Sequence, residues 1–308
     1  PLERLQPHDA ARNGAAAAAP ARRIRHHALR LLPCTRHQLQ RPHETPGDAL
    51  QLVAQPEPDE ATHRTTLRRA HISSEFAKEK VDFEFFDAIT PETMAQAVED
   101  LGVDISKTEL RKCEIACLLS HAVLWKKAVD ENLPYIAIFE DDIHLGRKST
   151  SFLTSDKWIP AECKIVKLEA FYPKIIVALN YKPLINSKRK LALLKAKHMG
   201  CGGYILSNES ARNLLALLKQ YEVLIPVDHI VFNDYLQSNP QDIFQMLPAI
   251  CIQDHRLTKS HDKFPSFLEQ ERNLRKGEDK TKVKLSLLDK AKREFLRLGT
   301  QTVKIVKE

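Results

Sequence analysis

One segment of the sequence combines a buried strand with a cluster of charge. Residues 134–143 read PYIAIFEDDI, so an apolar run ends abruptly in Glu140, Asp141 and Asp142. Because the side chains of a strand alternate between its two faces, Glu140 and Asp142 point one way and Asp141 points the other. In open α/β sheets, ligands bind outside the carboxyl ends of the strands. The segment therefore predicts a sheet with a polar site at one edge.

The three acids suggest a cation. Adjacent carboxylates raise one another's pKa values unless a positive charge neutralises them. The acid-x-acid pair of Glu140 and Asp142 offers oxygen ligands for a hard divalent ion, which usually keeps open positions for substrate phosphates. The alternative is a solvated turn between a strand and a loop, and the triplet alone does not separate the two interpretations.

The basic residues divide the chain into two parts. Residues 1–77 contain 11 Arg, 7 of the 13 His and no Lys, whereas residues 78–308 contain 27 Lys and 9 Arg. Residues 1–66 also include an alanine run at 15–19 and show no sustained helix or strand period. We therefore expect residues 1–66 to be non-native or disordered and to lie outside the fold.

Alternating periods after Leu67 predict the fold class. Apolar strand-like runs at Tyr135–Phe139, Lys164–Leu168 and Gly203–Leu206 are separated by segments of helical period. This order is typical of an α/β layered domain with a mostly parallel, Rossmann-like sheet. We expect that domain to cover residues 67–258 and a basic helical tail to cover residues 259–308.

Net charge and cysteine usage narrow the partners and the compartment. The chain carries a net charge of +7, and residues 282–308 account for +5 of it. The basic residues there lack interleaved aromatics, so we expect no nucleic-acid partner. The sequence contains no run of 18 apolar residues, which is about the length that a helix needs to cross a bilayer. Six scattered cysteines without a C-x-x-C pair favour a reduced, cytoplasmic compartment.

The tail has an apolar stripe whose partner stays open. Leu288, Ala291, Phe295 and Leu298 share one face of a predicted helix, and basic residues flank them. Such a helix either binds an anionic membrane surface or packs on its own domain. Peripheral association with the inner face of the cytoplasmic membrane is therefore one of the two alternatives for this segment.

Cys113, Cys117 and His121 invite a zinc interpretation that geometry disfavours. They recur at i, i+4 and i+8 on a predicted helix. Eight residues of helix separate the outer pair by about 12 Å, which is too far for one ion. We interpret this row as helix packing.

Six segments, in order, resemble the family 25 glycosyltransferases. They are RRAHI at 68–72, EFFDAI at 84–89, EIACLLSH at 114–121, IFEDD at 138–142, GCGGYILS at 200–207 and PVD at 226–228. Together they cover about residues 67–256. The family comprises bacterial enzymes of lipooligosaccharide biosynthesis, often galactosyl- or glucosyltransferases.

The resemblance implies a GT-A type fold and an inverting transfer. The donor would be a UDP-sugar such as UDP-galactose, the acceptor a saccharide hydroxyl of lipooligosaccharide, and the cofactor Mn2+ or another divalent metal. Carried over by position, Asp142 would be the better metal ligand, and Glu140 would contact the ribose or the waters of the metal. His255, in the segment QDHR, would complete the metal shell.

The remaining site residues are candidates for the general base and for binding of the sugar donor. Asp228 is our first candidate for the general base that takes the acceptor proton, and Glu169 is the second. The alternative for Asp228 is a helix N-cap. Gly200, Gly202 and Gly203, together with Asp141 and Glu140, would bind the donor. For the glycines, the alternative is a tight turn before a strand.

The sequence departs from the family pattern just before RRAHI. The family begins with a short hydrophobic strand that cradles the nucleotide base, and here DEATHR occupies that place at residues 59–64. Leu50–Ala54 is the nearby substitute, with a poor strand period. The rival hypothesis is therefore a catalytically impaired remnant that lacks the first nucleotide-binding strand.

Overall fold

The computed structural model describes residues 29–32, 60–90, 92–260, 263–264 and 300–304. The strands are β1 Leu29–Leu32, β2 Glu84–Phe85, β3 Tyr135–Glu140, β4 Ile143–Leu145, β5 Ile165–Lys167, β6 Lys174–Pro183, β7 Lys190–Leu194, β8 Gly203–Ser207, β9 Ile243–Leu247, β10 Cys251–Gln253 and β11 Thr300–Lys304. The helices are α1 Glu60–Lys78, α2 Met94–Leu101, α3 Lys112–Asp130, α4 Thr150–Leu153, α5 Asn208–Leu218, α6 Val227–His229, α7 Leu236–Ser238 and α8 Asp254–Thr258, with a π-helical segment at Ile230–Tyr235. The predicted α/β class is confirmed.

The sheet is mixed, and the prediction of a mostly parallel sheet is wrong. Over the described ranges, nine strands pair in the order β11-β6-β7-β9-β5-β8-β3-β1-β2, and β4 and β10 form a separate ribbon. Among the strands that the structure describes, the parallel pairs of the large sheet are β1–β2, β1–β3 and β5–β9. Strands β6 and β7 are joined by a short connection, which permits only an antiparallel pair. Strand β8 runs antiparallel to both of its neighbours, β3 and β5.

A strand from the N-terminal segment lies beside the acidic strand. Strand β1 pairs in parallel with β3, with Leu29 opposite Ala137 and Leu32 opposite Glu140, and its other edge pairs with β2. The expected exclusion of residues 1–66 is therefore wrong for Leu29–Leu32. It is also wrong for the start of α1, because the boundary at Leu67 falls inside that helix. The candidate strand Leu50–Ala54 and the rest of residues 1–66 lie outside the described residues.

Strand β3 separates two hydrophobic cores. Ile136 and Ile138 pack into a cluster with Leu118, Leu119 and Trp125 of α3. Ala137 and Phe139 belong to a second cluster, which contains Ile72 and Phe76 of α1. Because successive side chains enter opposite layers, β3 is buried on both faces. Its end, where the three acids follow, is thereby fixed between the helices.

Helix α1 holds the chain that follows β3 through a polar row. Side chains of α1 at spacings of three and four residues, together with Glu79 just beyond the end of the helix, meet successive positions of the segment 141–149. The contacts are Arg68 with the Asp141 carboxylate at 2.5 Å, His71 Nε2 with the Ile143 carbonyl at 3.0 Å, Glu75 with the Leu145 N–H at 2.9 Å, and Glu79 with the Ser149 N–H at 2.8 Å. The backbone after the acids is therefore held from one side.

The end of the chain extends the sheet. Strand β11 pairs antiparallel with β6, with Thr300 opposite Ala178. The prediction that the tail is helical throughout is therefore wrong at Thr300–Lys304. Its apolar stripe, from Leu288 to Leu298, lies outside the described residues. Among the helices of the described ranges, none has the length and apolar character needed to cross a membrane.

Candidate active site

Glu140 and Asp142 lie together at the end of β3. The side-chain amide of Gln253 donates to Glu140 Oε2 at 2.5 Å and approaches Asp142 Oδ1 at 3.5 Å. The two carboxylates therefore face the same side of the chain, as the alternation of a strand predicts. Asp142 is buried, and Glu140 is half-buried.

Pairing between β4 and β10 brings Gln253 to the acids. Gln253 stands opposite Ile143 in the antiparallel ribbon. The next residue, Asp254, donates its backbone N–H to the Asp142 carbonyl at 2.8 Å. The segment QDHR thus reaches the acids, as we expected for His255, but the residue that contacts both carboxylates is Gln253. His255 lies in the first turn of α8, partly exposed.

Asp141 points to the opposite side and pairs with Arg68. The guanidinium Nη1 and the carboxylate Oδ1 are 2.5 Å apart, and both side chains are buried. Burial raises the pKa of Asp141 to about 6, although the charge of Arg68 acts in the other direction. The structure therefore does not bring Asp141 to the side of Glu140 and Asp142, where a donor-binding role would need it.

A buried ion pair lies under the glycine segment. Lys167 Nζ donates to Glu169 Oε2 at 3.0 Å and to the Gly200 carbonyl at 2.5 Å. The same Glu169 oxygen accepts the N–H of Gly202 at 3.0 Å. Burial raises the pKa of Glu169, Lys167 lowers it, and the charge of nearby Asp142 raises it further. Glu169 is therefore both a neighbour of the acids and a support for the glycines.

The glycines are required by close protein contacts. Gly200 has φ +82°, and a Cβ there would lie 2.3 Å from the ring of Phe171 and 2.7 Å from Glu169 Oε2. A Cβ at Gly203 would lie 2.4 Å from the sulfur of Cys251. These close contacts within the protein explain why glycine stands at both positions. Their contact with a donor stays a prediction.

Asp228 meets the same glycine segment from the other side. Its carboxylate accepts the N–H of Gly200 at 3.3 Å and that of His229 at 3.1 Å, and the side chain is buried. Pro226 occupies the N-cap position of α6, so Asp228 lies inside the first turn and is not the N-cap. Asp228 and Glu169, the two candidate bases, therefore hold opposite ends of the turn at residues 200–202.

His121 contributes to the wall of the site through an aromatic relay. The Trp125 indole donates to the Tyr204 hydroxyl at 2.9 Å, and that hydroxyl lies 2.8 Å from His121 Nδ1. The hydroxyl that accepts from Trp125 also joins His121 through Nδ1, while His121 Nε2 has no hydrogen-bond partner among the described residues. Burial lowers the pKa of His121 to about 3, so the ring is neutral.

The third potential ligand near Cys117 and His121 is Glu140 and not Cys113. One ligand atom from each of Cys117, His121 and Glu140 lies within 4.8 Å of the others. The spacing argument thus correctly separated Cys113 from His121, but it could not reveal a third partner from β3. We missed this contact because Glu140 is remote in the sequence.

The chemistry of the donor set fits a hard divalent ion. Glu140 and Asp142 supply carboxylate oxygens, and rotation of the Gln253 side chain would add an amide oxygen. Glu169 and Asp228 bring further negative charge to the surrounding wall, where Lys167 pairs with Glu169 and Asp228 accepts the Gly200 N–H. An added divalent cation would balance the excess of carboxylates.

Comparisons with known proteins agree on one family. Residues 62–231 match the model of "Glycosyltransferase family 25 (LPS biosynthesis protein)". The lacto-N-neotetraose biosynthesis glycosyltransferase LgtB of Neisseria meningitidis serogroup B is 36% identical over 225 residues, which cover 69% of this chain and 82% of the relative. The lipooligosaccharide biosynthesis protein lic2B of Haemophilus influenzae is 32% identical over 239 residues, which cover 73% of this chain and 88% of the relative.

A solved structure gives a more distant likeness. The structure of a glycosyltransferase involved in the glycosylation of the major capsid of PBCV-1 aligns over 80% of this chain and 98% of its own. The TM-score is 0.38, and the sequence identity is 9%.

Proposed function

The chain belongs to glycosyltransferase family 25, and from this premise we propose that it transfers a hexose from a UDP-sugar to a saccharide hydroxyl of lipooligosaccharide, with inversion. The observation that carries the proposal is the position of Glu140 and Asp142, which share the Gln253 amide at the end of β3. Galactose is the hexose that we propose first. The names of the relatives, which refer to lacto-N-neotetraose and lipooligosaccharide biosynthesis, support the class of acceptor.

We assign the metal to the acid-x-acid pair. Asp142 and Glu140 would hold Mn2+ or another divalent ion, and His255 is a further candidate ligand from the adjacent segment. When bound, such an ion stabilises the negative charge that develops on the leaving diphosphate. Gln253 orients the two carboxylates, and the glycine turn at 200–202 shapes the wall beside them.

Asp228 is the proposed general base. In an inverting displacement, the acceptor hydroxyl attacks the anomeric carbon, the bond from that carbon to the diphosphate breaks, and the hydroxyl proton passes to a carboxylate. Glu169 is the weaker candidate because Lys167 and the Gly202 N–H both bind its Oε2. Asp228 accepts the backbone N–H groups of Gly200 and His229, and its place beside the glycine turn supports it as the first candidate.

The rival hypothesis is an impaired remnant that lacks the first nucleotide-binding strand before RRAHI. The position of strand β1 supports the active enzyme as our first proposal. Strand β1 occupies the parallel position next to β3, with Leu32 opposite Glu140. We therefore favour an active enzyme.

We also propose that the enzyme works at the inner face of the cytoplasmic membrane, held there peripherally. The support is the net charge of +5 in residues 282–308. Each basic residue near an anionic leaflet contributes on the order of 1 kcal/mol. Cosedimentation with anionic vesicles should fall when salt is raised or when the Lys and Arg residues of 282–297 are replaced by Gln, which leaves strand β11 in place. Equal binding after the replacement would refute the membrane role.

A donor screen tests the reaction itself. Release of UDP is measured with lipooligosaccharide acceptor, Mn2+ and a panel of UDP-hexoses. We expect release with UDP-galactose that needs the acceptor and stops on addition of EDTA. Undiminished transfer in EDTA would remove the metal from the proposal, and folded protein that accepts none of the donors would refute the proposed reaction.

Asp228→Asn tests the base. Losing a positioned base typically slows turnover ~10²–10⁴-fold with little change in donor affinity. The Asp100→Asn variant, at an exposed position of α2, is the matched control. Loss of thermal stability without a rate defect would instead assign Asp228 to supporting the turn.

A further inference from the structure

A second cluster of metal-ligand side chains lies behind the candidate active site. One ligand atom from each of His71, Glu75 and His144 lies within 4.8 Å of the others. His71 and Glu75 are one helical turn apart on α1, and His144 belongs to β4. The cluster therefore joins two elements that the chain brings together from a distance of about 70 residues.

The hydrogen bonds of both histidines suit metal ligation. His144 Nε2 lies 2.8 Å from Asp254 Oδ1, and His71 Nε2 lies 3.0 Å from the Ile143 carbonyl oxygen. Both partners are acceptors, so each Nε2 donates its proton to them and Nδ1 is the nitrogen left to face a metal. Histidines that bind metals commonly donate their other N–H to a carboxylate or a backbone carbonyl in this way.

Glu75 supplies the third protein ligand, and a water molecule would take the fourth position of a tetrahedral ion. Its Oε1 lies 3.5 Å from His144 Nδ1, and its Oε2 accepts the Leu145 N–H at 2.9 Å. A metal at about 2.0–2.2 Å from each of two ligands in tetrahedral geometry separates those ligands by roughly 3.5 Å. The Glu75–His144 distance already meets this requirement, and the widest separation in the cluster must shrink by only about 1 Å.

A buried carboxylate strengthens the case for a cation. Asp254 is 2% exposed, and its Oδ2 has no hydrogen-bond partner among the described residues.

The Lys78 ammonium, on an exposed side chain, bonds to Glu75 Oε1 at 2.7 Å. Lys78 therefore occupies the oxygen that a metal would use, and its exposure allows it to move away.

We propose that His71, Glu75 and His144 form a structural zinc site that clamps α1 to the β4–β10 ribbon. Two imidazole nitrogens and one carboxylate oxygen suit Zn2+ better than the oxygen-preferring Mn2+ or Mg2+. Asp254 orients His144, and its backbone N–H binds the Asp142 carbonyl. The zinc site thereby supports the backbone of the acid-x-acid pair from behind, and it is separate from the proposed catalytic metal site.

Zinc binding to the full-length chain tests this site. The protein is stripped with chelator and titrated with Zn2+ against a chromogenic competitor, and thermal unfolding is followed with and without Zn2+. We expect Asp142→Asn to retain one zinc equivalent. Glu75→Gln and His144→Gln each lack a direct ligand, so they should bind this zinc more weakly by at least the 10–100-fold that loss of an outer-shell partner typically costs. Zinc at 100-fold excess over Kd should raise the Tm of Asp142→Asn by about 5–10 °C.

Lys78→Gln separates a metal site from a plain ion-pair network. The substitution removes the cation that competes for Glu75 Oε1, so a metal site predicts tighter Zn2+ binding. A network without metal predicts unchanged zinc binding and slightly lower stability.

Cys117→Ser controls for the other cluster, which includes Glu140. Loss of the zinc equivalent in Cys117→Ser, its retention in Glu75→Gln, or the absence of zinc binding in Asp142→Asn would overturn the proposal. Because these measurements use no sugar donor, they are independent of the outcome of the transferase assay.

Discussion

The two faces of the acid triplet differ in how their charge is balanced. On one face, Asp141 pairs with the guanidinium of Arg68, and the pair is sealed between α1 and the chain after β3. On the other face, Glu140 and Asp142 receive hydrogen bonds from the neutral amide of Gln253. Arg68 thus neutralises the middle acid, whereas the amide orients the outer two without cancelling their charge.

This difference separates support from chemistry. A buried carboxylate that already has a cation fixes the backbone at the end of the strand. A pair of carboxylates held by an amide keeps its negative charge for a ligand cation. Changes on the Asp141 face should therefore alter stability, and changes on the Glu140 and Asp142 face should alter turnover.

The largest effect should come from Asp142→Asn. The change removes charge at nearly constant shape, so we expect turnover to fall about 10³-fold, which is about 4 kcal/mol of transition-state stabilisation. The free energy of unfolding should stay within about 1 kcal/mol of the unsubstituted protein. Initial rates of UDP release and urea unfolding measure the two quantities. A variant that unfolds more easily but turns over normally would reverse the assignment of this face.

Arg68→Met should show the opposite pattern. Removing one partner of a buried ion pair leaves Asp141 uncompensated, which typically costs about 3 kcal/mol or more. We expect that loss in urea unfolding, with normal kcat for the fraction that stays folded. Arg69→Met is the matched control, because Arg69 pairs with Asp87 at the surface. Equal stability of the two variants would show that the Asp141 face is not the supporting one.

The pH dependence of stability should isolate Asp141. Because its pKa is raised to about 6, the folded state binds this proton more tightly than the unfolded state does. Asp141 therefore stabilises the fold at low pH, and its contribution falls as pH rises from about 4 to about 6. We expect the difference in unfolding free energy between the unsubstituted protein and Asp141→Asn to change by about 2 kcal/mol over that range.

The difference in unfolding free energy between the unsubstituted protein and Asp141→Asn is free of the opposing pH effect of the histidines. Burial lowers the pKa values of His71, His121 and His198, so these residues destabilise the fold as pH falls. They are present in both proteins and cancel. A flat difference between pH 4 and pH 6 would mean that Arg68 keeps Asp141 ionised throughout.

The sequence predicted the orientation of the acids but not their partners. Alternation along a buried strand is local, so it separates Asp141 from Glu140 and Asp142 without any tertiary information. Arg68 and Gln253 reach these acids across 73 and 113 residues. Both lie in segments that the sequence analysis singled out, RRAHI and QDHR, but nothing local in those segments says which acid each side chain contacts.

The errors in the fold have similar causes. Strand β1 is only four residues long and lies in an arginine-rich segment, so its period is too short to detect. Its place is set by pairing with β2 and β3. The direction of β8 likewise depends on its neighbours, which a run of apolar residues does not specify. The helix-and-strand alternation gave the α/β class, while the mixture of parallel and antiparallel pairs required the tertiary structure.

Gln253→Leu should give the smallest effect and the sharpest test of what the amide does. Leucine has a similar volume but cannot donate a hydrogen bond to either carboxylate. Loss of such an orienting group typically weakens metal affinity by about 10-fold. We expect the Mn2+ concentration for half-maximal activity to rise about 10-fold, with kcat restored at saturating Mn2+. Gln96→Leu, at an exposed position of α2, is the matched control. A lower kcat that Mn2+ does not restore would place the amide against the substrate and not behind the metal ligands.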